Sequence, residues 1–242
     1  MTRTDRSAGT PEPAVVTQGL AKYYGDAPAL EALDLEVADG ERVTLIGHNG
    51  SGKTTLLKML AGVLEPTDGS ASIGGYRAGS VGSRAAVSYL ADQPVFYDDL
   101  SVWEHLEYIA RLHGTSDWEQ QAVDLVDVVG LTPRIDDLPA TFSRGLQQKA
   151  AIAMAFVRPF DVLLVDEPFV GLDRTGRDAL MALFASAHAD GATLLVATHE
   201  LATVRESTRL LALRDGALAY DGHPDDADLA ALTAGGASPP PE

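Results

Sequence analysis

Among 242 residues there is no cysteine. That excludes a disulfide framework, a thiolate metal site and a cysteine nucleophile, and it fits a cytosolic chain. Positive charge is scarce as well: 18 Lys and Arg stand against 35 Asp and Glu, a formal net charge of −17. A chain this acidic lacks the clustered cations that binding to a nucleic-acid backbone requires. Long apolar runs are missing too. A bilayer-spanning helix needs ~20 apolar residues, whereas the longest stretches here, TLLVA at 193–197 and VLLV at 162–165, are strand-sized. The N-terminal residues MTRTDRSAGTPEPA carry no apolar stretch of the kind a secretory signal needs. The expectation is a chain soluble by itself, whose work at a membrane would need another polypeptide. The remainder, 45% hydrophobic and 22% charged, is ordinary for a protein that buries a real core.

Residues 1–13 and 235–242 (GGASPPPE) read as tails. Between them strand-like and helix-like stretches alternate, which predicts an α/β architecture. VTLIG (43–47) reads as a buried strand ending at glycine, and 54–64 as a helix with Leu56, Leu57, Leu60 and Leu64 on one side. DVLLVDEP (161–168) and ATLLVATHE (192–200) read as two further buried strands. From about 99 to 157 the pattern is mostly helical, punctuated by Gly114, Gly130 and Pro133. The prediction is one core domain with a helical insertion.

Gly47-His48-Asn49-Gly50-Ser51-Gly52-Lys53-Thr54 matches G-x-x-x-x-G-K-[ST] and lies between a predicted strand and a predicted helix. Glycines let consecutive N–H groups wrap an anion, and the following helix turns its positive dipole end toward it. Lys53 is placed to reach β- and γ-phosphates, and the Thr54 hydroxyl to ligate Mg²⁺. A plain glycine-rich turn would lack the Gly-Lys-Thr at the helix start. His48 is unusual in an anion cradle and is expected to point to solvent.

Asp166 and Glu167 end the strand VLLV. Two acids at the end of a buried strand are costly unless they serve a cation or a polar network; the bland alternative is a pair of loop acids capping the next helix. Beside a phosphate loop, Asp166 is a candidate Mg²⁺ holder, and Glu167 a candidate for polarising an attacking water. His199 follows another predicted strand, and open α/β sheets place ligands at the carboxyl ends of their strands. The other histidines (48, 105, 113, 188, 223) show no zinc spacing.

Taken together, these residues resemble the nucleotide-binding subunits of ATP-binding cassette transporters, with the likeness running from about Val15 to Gly222. Tyr24, in Lys22-Tyr23-Tyr24-Gly25, is similar to the aromatic that stacks on adenine, and GHNGSGKTT, through Thr55, to the phosphate loop. Gln93, in Ala91-Asp92-Gln93-Pro94, looks like the Q-loop glutamine that contacts Mg²⁺ and the attacking water. Phe142-Ser143-Arg144-Gly145-Leu146 occupies the place of the L-S-G-G-Q signature and departs from it at 142, 144 and 146. Gly171-Leu172-Asp173 resembles the D-loop, and His199 the switch histidine. Ser143 is a good N-cap residue whose hydroxyl can donate to a γ-phosphate, and Gly145 permits close backbone approach ahead of a helix expected to start near 146.

The resemblance implies a P-loop NTPase (RecA-like) core over 14–222, with an antiparallel β portion, an inserted helical subdomain at about 95–157, and tails at 1–13 and 223–242. It implies ATP and Mg²⁺ as ligands. ATP would lie between the phosphate loop of one cassette and the signature of a second, most simply in a homodimer. Glu167 would be the general base, with Lys53, Gln93 and His199 assisting. A separate transmembrane permease would hold the chain at the inner face of the plasma membrane, and the stretch from Pro94 to Gly114 looks most like exporters. Val95, Phe96, Tyr97, Val102 and Trp103 either face the permease or form subdomain core. The competing reading is a soluble cassette ATPase without transport, such as one of iron–sulfur cluster assembly.

Overall fold

The structure is a computed structural model that describes residues 13–233. In chain order it has β1 (Val15–Tyr24), β2 (Ala27–Val37), β3 (Arg42–Ile46), α1 (Lys53–Leu60), β4 (Asp68–Ile73), β5 (Tyr76–Arg77), α2 (Val81–Ala86) and β6 (Val87–Leu90). Then come α3 (Val102–Leu112), α4 (Trp118–Val128), α5 (Arg144–Phe156), β7 (Val162–Asp166), α6 (Arg174–Ala189), β8 (Thr193–Ala197), α7 (Leu201–Arg205), β9 (Arg209–Arg214), β10 (Ala217–Gly222) and α8 (Leu229–Thr233).

Two sheets result. Strands β2-β1-β4-β5 pair antiparallel, and β10-β9-β3-β8-β7-β6 form a six-stranded sheet whose members from β9 to β6 run parallel. The strands β3, β7 and β8 are buried at every position, as parallel strands covered on both faces must be. This is why they read as largely apolar runs, with Thr44 the one polar residue inside β3 and Thr193 at the start of β8, and not as alternating ones. One face of that sheet packs against α1 and the antiparallel sheet, through Leu45, Leu56, Leu57, Leu60 and Leu164. The other carries the helical insertion and α6, through Leu106, Val126, Ile152, Leu163 and Phe184. Each fully buried Leu or Phe contributes about 1.5–3 kcal/mol of transfer free energy.

Helix α1 ends at Leu60, four residues short of the expected 64. Gly62 turns at φ 71, and the N–H groups of Val63 and Leu64 fold back on the Lys58 carbonyl, closing the helix. Leu64 still reaches the core from the loop beyond. The insertion is helical as predicted. Ser101 and Glu104 cap α3 reciprocally, a pairing that satisfies two otherwise orphaned donors. Its aromatics divide: Phe96 and Trp103 pack on the subdomain core and Val102 is fully buried, while Val95 and Tyr97 are exposed. His105 holds the connecting segment, with Nδ1 against the Ser101 carbonyl (2.8 Å) and Nε2 accepting from the Tyr97 N–H (2.9 Å).

The expected tail at 1–13 falls outside the described residues except for its last position. The stretch 223–233 is shaped: a short 3-10 turn at Pro224–Asp226 precedes α8, and Leu229 and Leu232 pack near Ile46, Val204 and Leu210. Two leucines on one side of a short helix supply apolar area that a solvated tail would leave in water. Residues 234–242 lie outside the described residues.

Candidate functional site

The phosphate loop joins β3 to α1 at the carboxyl end of the parallel strands. Gly47, Gly50 and Gly52 all adopt positive φ. A Cβ at Gly47 would lie 2.2 Å from the Leu213 carbonyl oxygen, and one at Gly52 would lie 2.7 Å from that of Ala29. The loop is therefore packed from behind by the β1–β2 and β9–β10 sides of the fold, and only glycine fits. The Ser51 carbonyl accepts from the Gly216 N–H, and the Gly216 carbonyl from the Glu31 N–H. Ser51 is buried with its hydroxyl unpartnered. Asn49, Gly50 and Thr54 are exposed and Thr55 is half-buried.

His48 does not point to solvent as expected. Its ring is mostly buried, with Nδ1 on the Asn49 carbonyl (2.8 Å) and Nε2 3.1 Å from the carboxylate of Asp215 in the β9–β10 turn. Asp215-Gly216 is a recognisable hairpin-turn dipeptide, but only the β3–β9 pairing brings it to the loop.

Lys53 is buried and donates to the carbonyls of Gly47 (2.7 Å) and His48 (3.3 Å). Its ammonium lies 4.0 Å from Glu167. Burial lowers its pKa, and the charges of Glu167 and Asp166 pull the other way. Asp166 is 1% exposed, and neither carboxylate oxygen meets a donor in good hydrogen-bonding geometry. Burial raises its pKa, while the Thr54 hydroxyl beside it draws it down. Two orphaned oxygens so deep in the fold are costly, and a hard cation taking oxygen ligands would satisfy them. The residues present therefore fit Mg²⁺ held between Thr54 and Asp166. Among the described residues no group of three His, Cys, Asp or Glu could hold a metal alone, so further ligands would come from the phosphates and water.

Glu167 sits at φ 44, a strained position for a non-glycine residue. Its Oε1 is 3.0 Å from His199 Nε2. Burial, with Asp166 and Asp92 adding to it and Lys53 opposing, pushes its pKa up to about 7. Burial, with the Lys53 charge, also lowers the pKa of His199, which disfavours an imidazolium beside this carboxyl. A general base is most effective with its pKa near the working pH.

Gln93, expected to reach this cluster, is exposed. Among the described residues no hydrogen bond or ion pair holds its side chain. Strand β6 ends at Leu90, paired with Val165 of β7, and Gln93 lies in the irregular segment beyond it. Asp92 is the residue whose charge acts on Asp166, Glu167 and Tyr89.

The signature residues form a second cluster. Helix α5 begins at Arg144, two residues earlier than expected, with Ser143 at the N-cap position. The Ser143 hydroxyl makes no capping bond and is exposed, which leaves it available to an external acceptor. A Cβ at Gly145 would lie 2.4 Å from the Gly171 carbonyl oxygen, so the helix start rests directly on the 171–173 turn. Asp173 caps α6 by accepting from the Gly176 N–H (2.7 Å) and pairs with Lys149 (3.2 Å). The Gly176 N–H and Lys149 hold its pKa below the usual aspartate range. Tyr24 stands apart, exposed at the end of β1 with Lys22 over its ring. Among the described residues no hydrogen bond or ion pair links Ser143 or Gly145 to the phosphate loop.

A strand–glycine loop–helix cradle, a buried Lys, a strand-end Asp-Glu pair and a switch-like His, with a helical insertion after β6, define a P-loop ATPase of the ATP-binding cassette class. The comparisons agree. The ABC transporter family matches residues 30–170, and the chain belongs to that family. An ABC transporter ATP-binding protein of Halobacterium salinarum is 36% identical over 92% of this chain and 98% of its own length. The SkfA peptide export ATP-binding protein SkfE of Bacillus subtilis is 32% identical over 84% of this chain and 87% of its own. The solved structure of an ATP-binding subunit of an ABC transporter superposes with a TM-score of 0.82 at 35% identity, covering 88% of this chain and 91% of that one.

Proposed function

We propose that this chain is the ATP-hydrolysing subunit of an ABC transporter, that two copies close head to tail around two ATP molecules, and that a separate transmembrane permease carries the cargo outward. The observation that carries the hydrolytic reading is the cluster of Lys53, Asp166, Glu167 and His199 at the carboxyl ends of β3, β7 and β8, with Glu167 poised near pH 7.

The glycine loop and the α1 N-terminus bind the phosphates through backbone N–H groups. Lys53, now on two loop carbonyls, exchanges them for phosphate oxygens. Thr54 and Asp166 would hold Mg²⁺, which supplies Lewis-acid polarisation of the phosphate oxygens when bound. Glu167 accepts the proton of the attacking water, and His199 orients that carboxylate. Tyr24 offers its exposed ring to the adenine. Ser143 and the α5 N-terminus offer a donor and a positive dipole end to an anion, and among the described residues no hydrogen bond or ion pair ties Ser143 to the loop of its own chain, which supports an anion belonging to a second copy.

The exposed Val95 and Tyr97 on the helical subdomain support docking on a permease. No helix among the described residues is long and apolar enough to cross a membrane, so that role falls to the partner. The outward direction draws support from the peptide export named for SkfE. Co-purification from the native host tests the assignment: an integral membrane protein should accompany the chain together with ATPase activity. Recovery of only soluble partners would overturn the transport reading.

A further inference from the structure

Position 144 is where the signature departs most in chemistry, a cation in place of glycine. Its guanidinium makes a specific contact, with Arg144 Nη2 3.2 Å from Oδ1 of Asp92. Asp92 lies two residues beyond the end of β6, the strand that pairs with β7 up to Leu90 and Val165. The pair therefore joins the hydrolytic end of the parallel sheet to the first turn of α5. That turn is fixed on its other side, where Gly145 rests on the Gly171 carbonyl and Lys149 reaches Asp173.

We propose that Arg144 and Asp92 form a positioning couple for ATP hydrolysis: Arg144 neutralises a third carboxylate beside Asp166 and Glu167 and ties the signature end of α5 to the segment after β6. This rests on the hydrolytic reading above. Asp92 follows β6 beside the end of β7 that carries both strand-end acids, so without its cation it would add an uncompensated carboxylate to a site that must also accept the phosphate charges of ATP. An ion pair this exposed contributes little to folding stability, so its contribution is to geometry and charge at the site. The charges of Arg144 and Asp92 thus compensate each other. Neither touches the reacting atoms.

The test is a double-substitution cycle on the full-length protein with Arg144→Ala, Asp92→Asn and the two combined. Each is assayed for ATP turnover, for binding of a fluorescent ATP analogue and for melting temperature. Arg144→Ala should lower kcat about tenfold with KM for ATP within about twofold and the melting temperature unchanged. Adding Asp92→Asn to it should restore kcat by at least about threefold, a coupling that independent sites do not show. Arg144→Lys, which keeps the charge, should stay within about threefold of wild type. Should Arg144→Ala fail to fold, Arg144→Gln takes its place. An Arg144→Ala protein within about twofold of wild type in kcat, or a double variant no more active than Arg144→Ala, overturns the couple. Wild-type protein that neither binds nor hydrolyses ATP defeats the functional reading itself, whereas wild-type hydrolysis without rescue defeats the couple alone.

Discussion

His199 Nε2 lies 3.0 Å from Glu167 Oε1, and the Lys53 ammonium is 4.0 Å from the same oxygen. Glu167 is thus held between an imidazole and a cation at the end of β7. Replacing it with glutamine keeps the shape and removes the base. Glu167→Gln should lower kcat by about 10²–10⁴-fold while ATP still binds. The unhydrolysed complex should then run as a dimer on size-exclusion chromatography with ATP and Mg²⁺. A variant that stays monomeric with ATP and turns over at the wild-type rate sinks the assignment.

The same carboxyl predicts a pH dependence. With the folded pKa pushed up to about 7 from 4.5, the free protein is half protonated near pH 7. kcat/KM should rise roughly tenfold per pH unit below that point and level off above it. The stability sign follows separately. A raised carboxyl pKa means the unfolded chain releases this proton first, so stability falls as pH rises from 4.5 to about 7, and the cost is fully present above that. Glu167→Gln should therefore be more stable to unfolding than wild type at pH 8 by on the order of 1–3 kcal/mol, and melt correspondingly higher, but not at pH 4. Equal melting points at both pH values would show that burial does not strain this group.

Much of the core was legible because its chemistry is local. The strands β3, β7 and β8 are short, mostly apolar runs closed by glycine, acids or a Thr-His-Glu, and α3, α4 and α5 keep a helical period between glycines. What escaped depends on neighbours distant in sequence. Asp92 and Gln93 are adjacent in the chain, and only the fold shows that the charge of Asp92 acts on Glu167 while Gln93 is exposed. His48 finds Asp215 because β9 lies beside β3. The antiparallel strand β1 is interrupted by Gly19 at φ 55 with a register shift after Thr17, which hides its alternation.

The His48–Asp215 contact predicts a small effect. Asp215 is 69% exposed, and exposed pairs are worth about 0.2–1 kcal/mol. The loop is held mainly by backbone, through the Gly216 N–H to the Ser51 carbonyl and the tight fit at Gly47. His48→Ala should weaken ATP affinity by less than about fivefold, read by titration with a fluorescent analogue. A loss of a hundredfold or more (roughly 2.7 kcal/mol) would mean that the imidazole contacts nucleotide directly.

Gly145 offers the sharpest separation of binding from turnover. Its Cα side faces the Gly171 carbonyl so closely that an added methyl would stand 2.4 Å from that oxygen. Both partners are backbone, so neither can swing away as a side chain would; α5 or the 171–173 turn must shift. The phosphate loop, built on β3, α1 and the Ser51–Gly216 contact, does not share that shift. Gly145→Ala should therefore bind ATP within about threefold of wild type as a monomer, yet lose at least about tenfold in kcat, because Ser143 and the α5 N-terminus are displaced from the phosphate of the second copy. Binding by isothermal titration and turnover by phosphate release measure the two separately. Equal losses in both would place the signature against the phosphate loop of its own chain and defeat the head-to-tail arrangement.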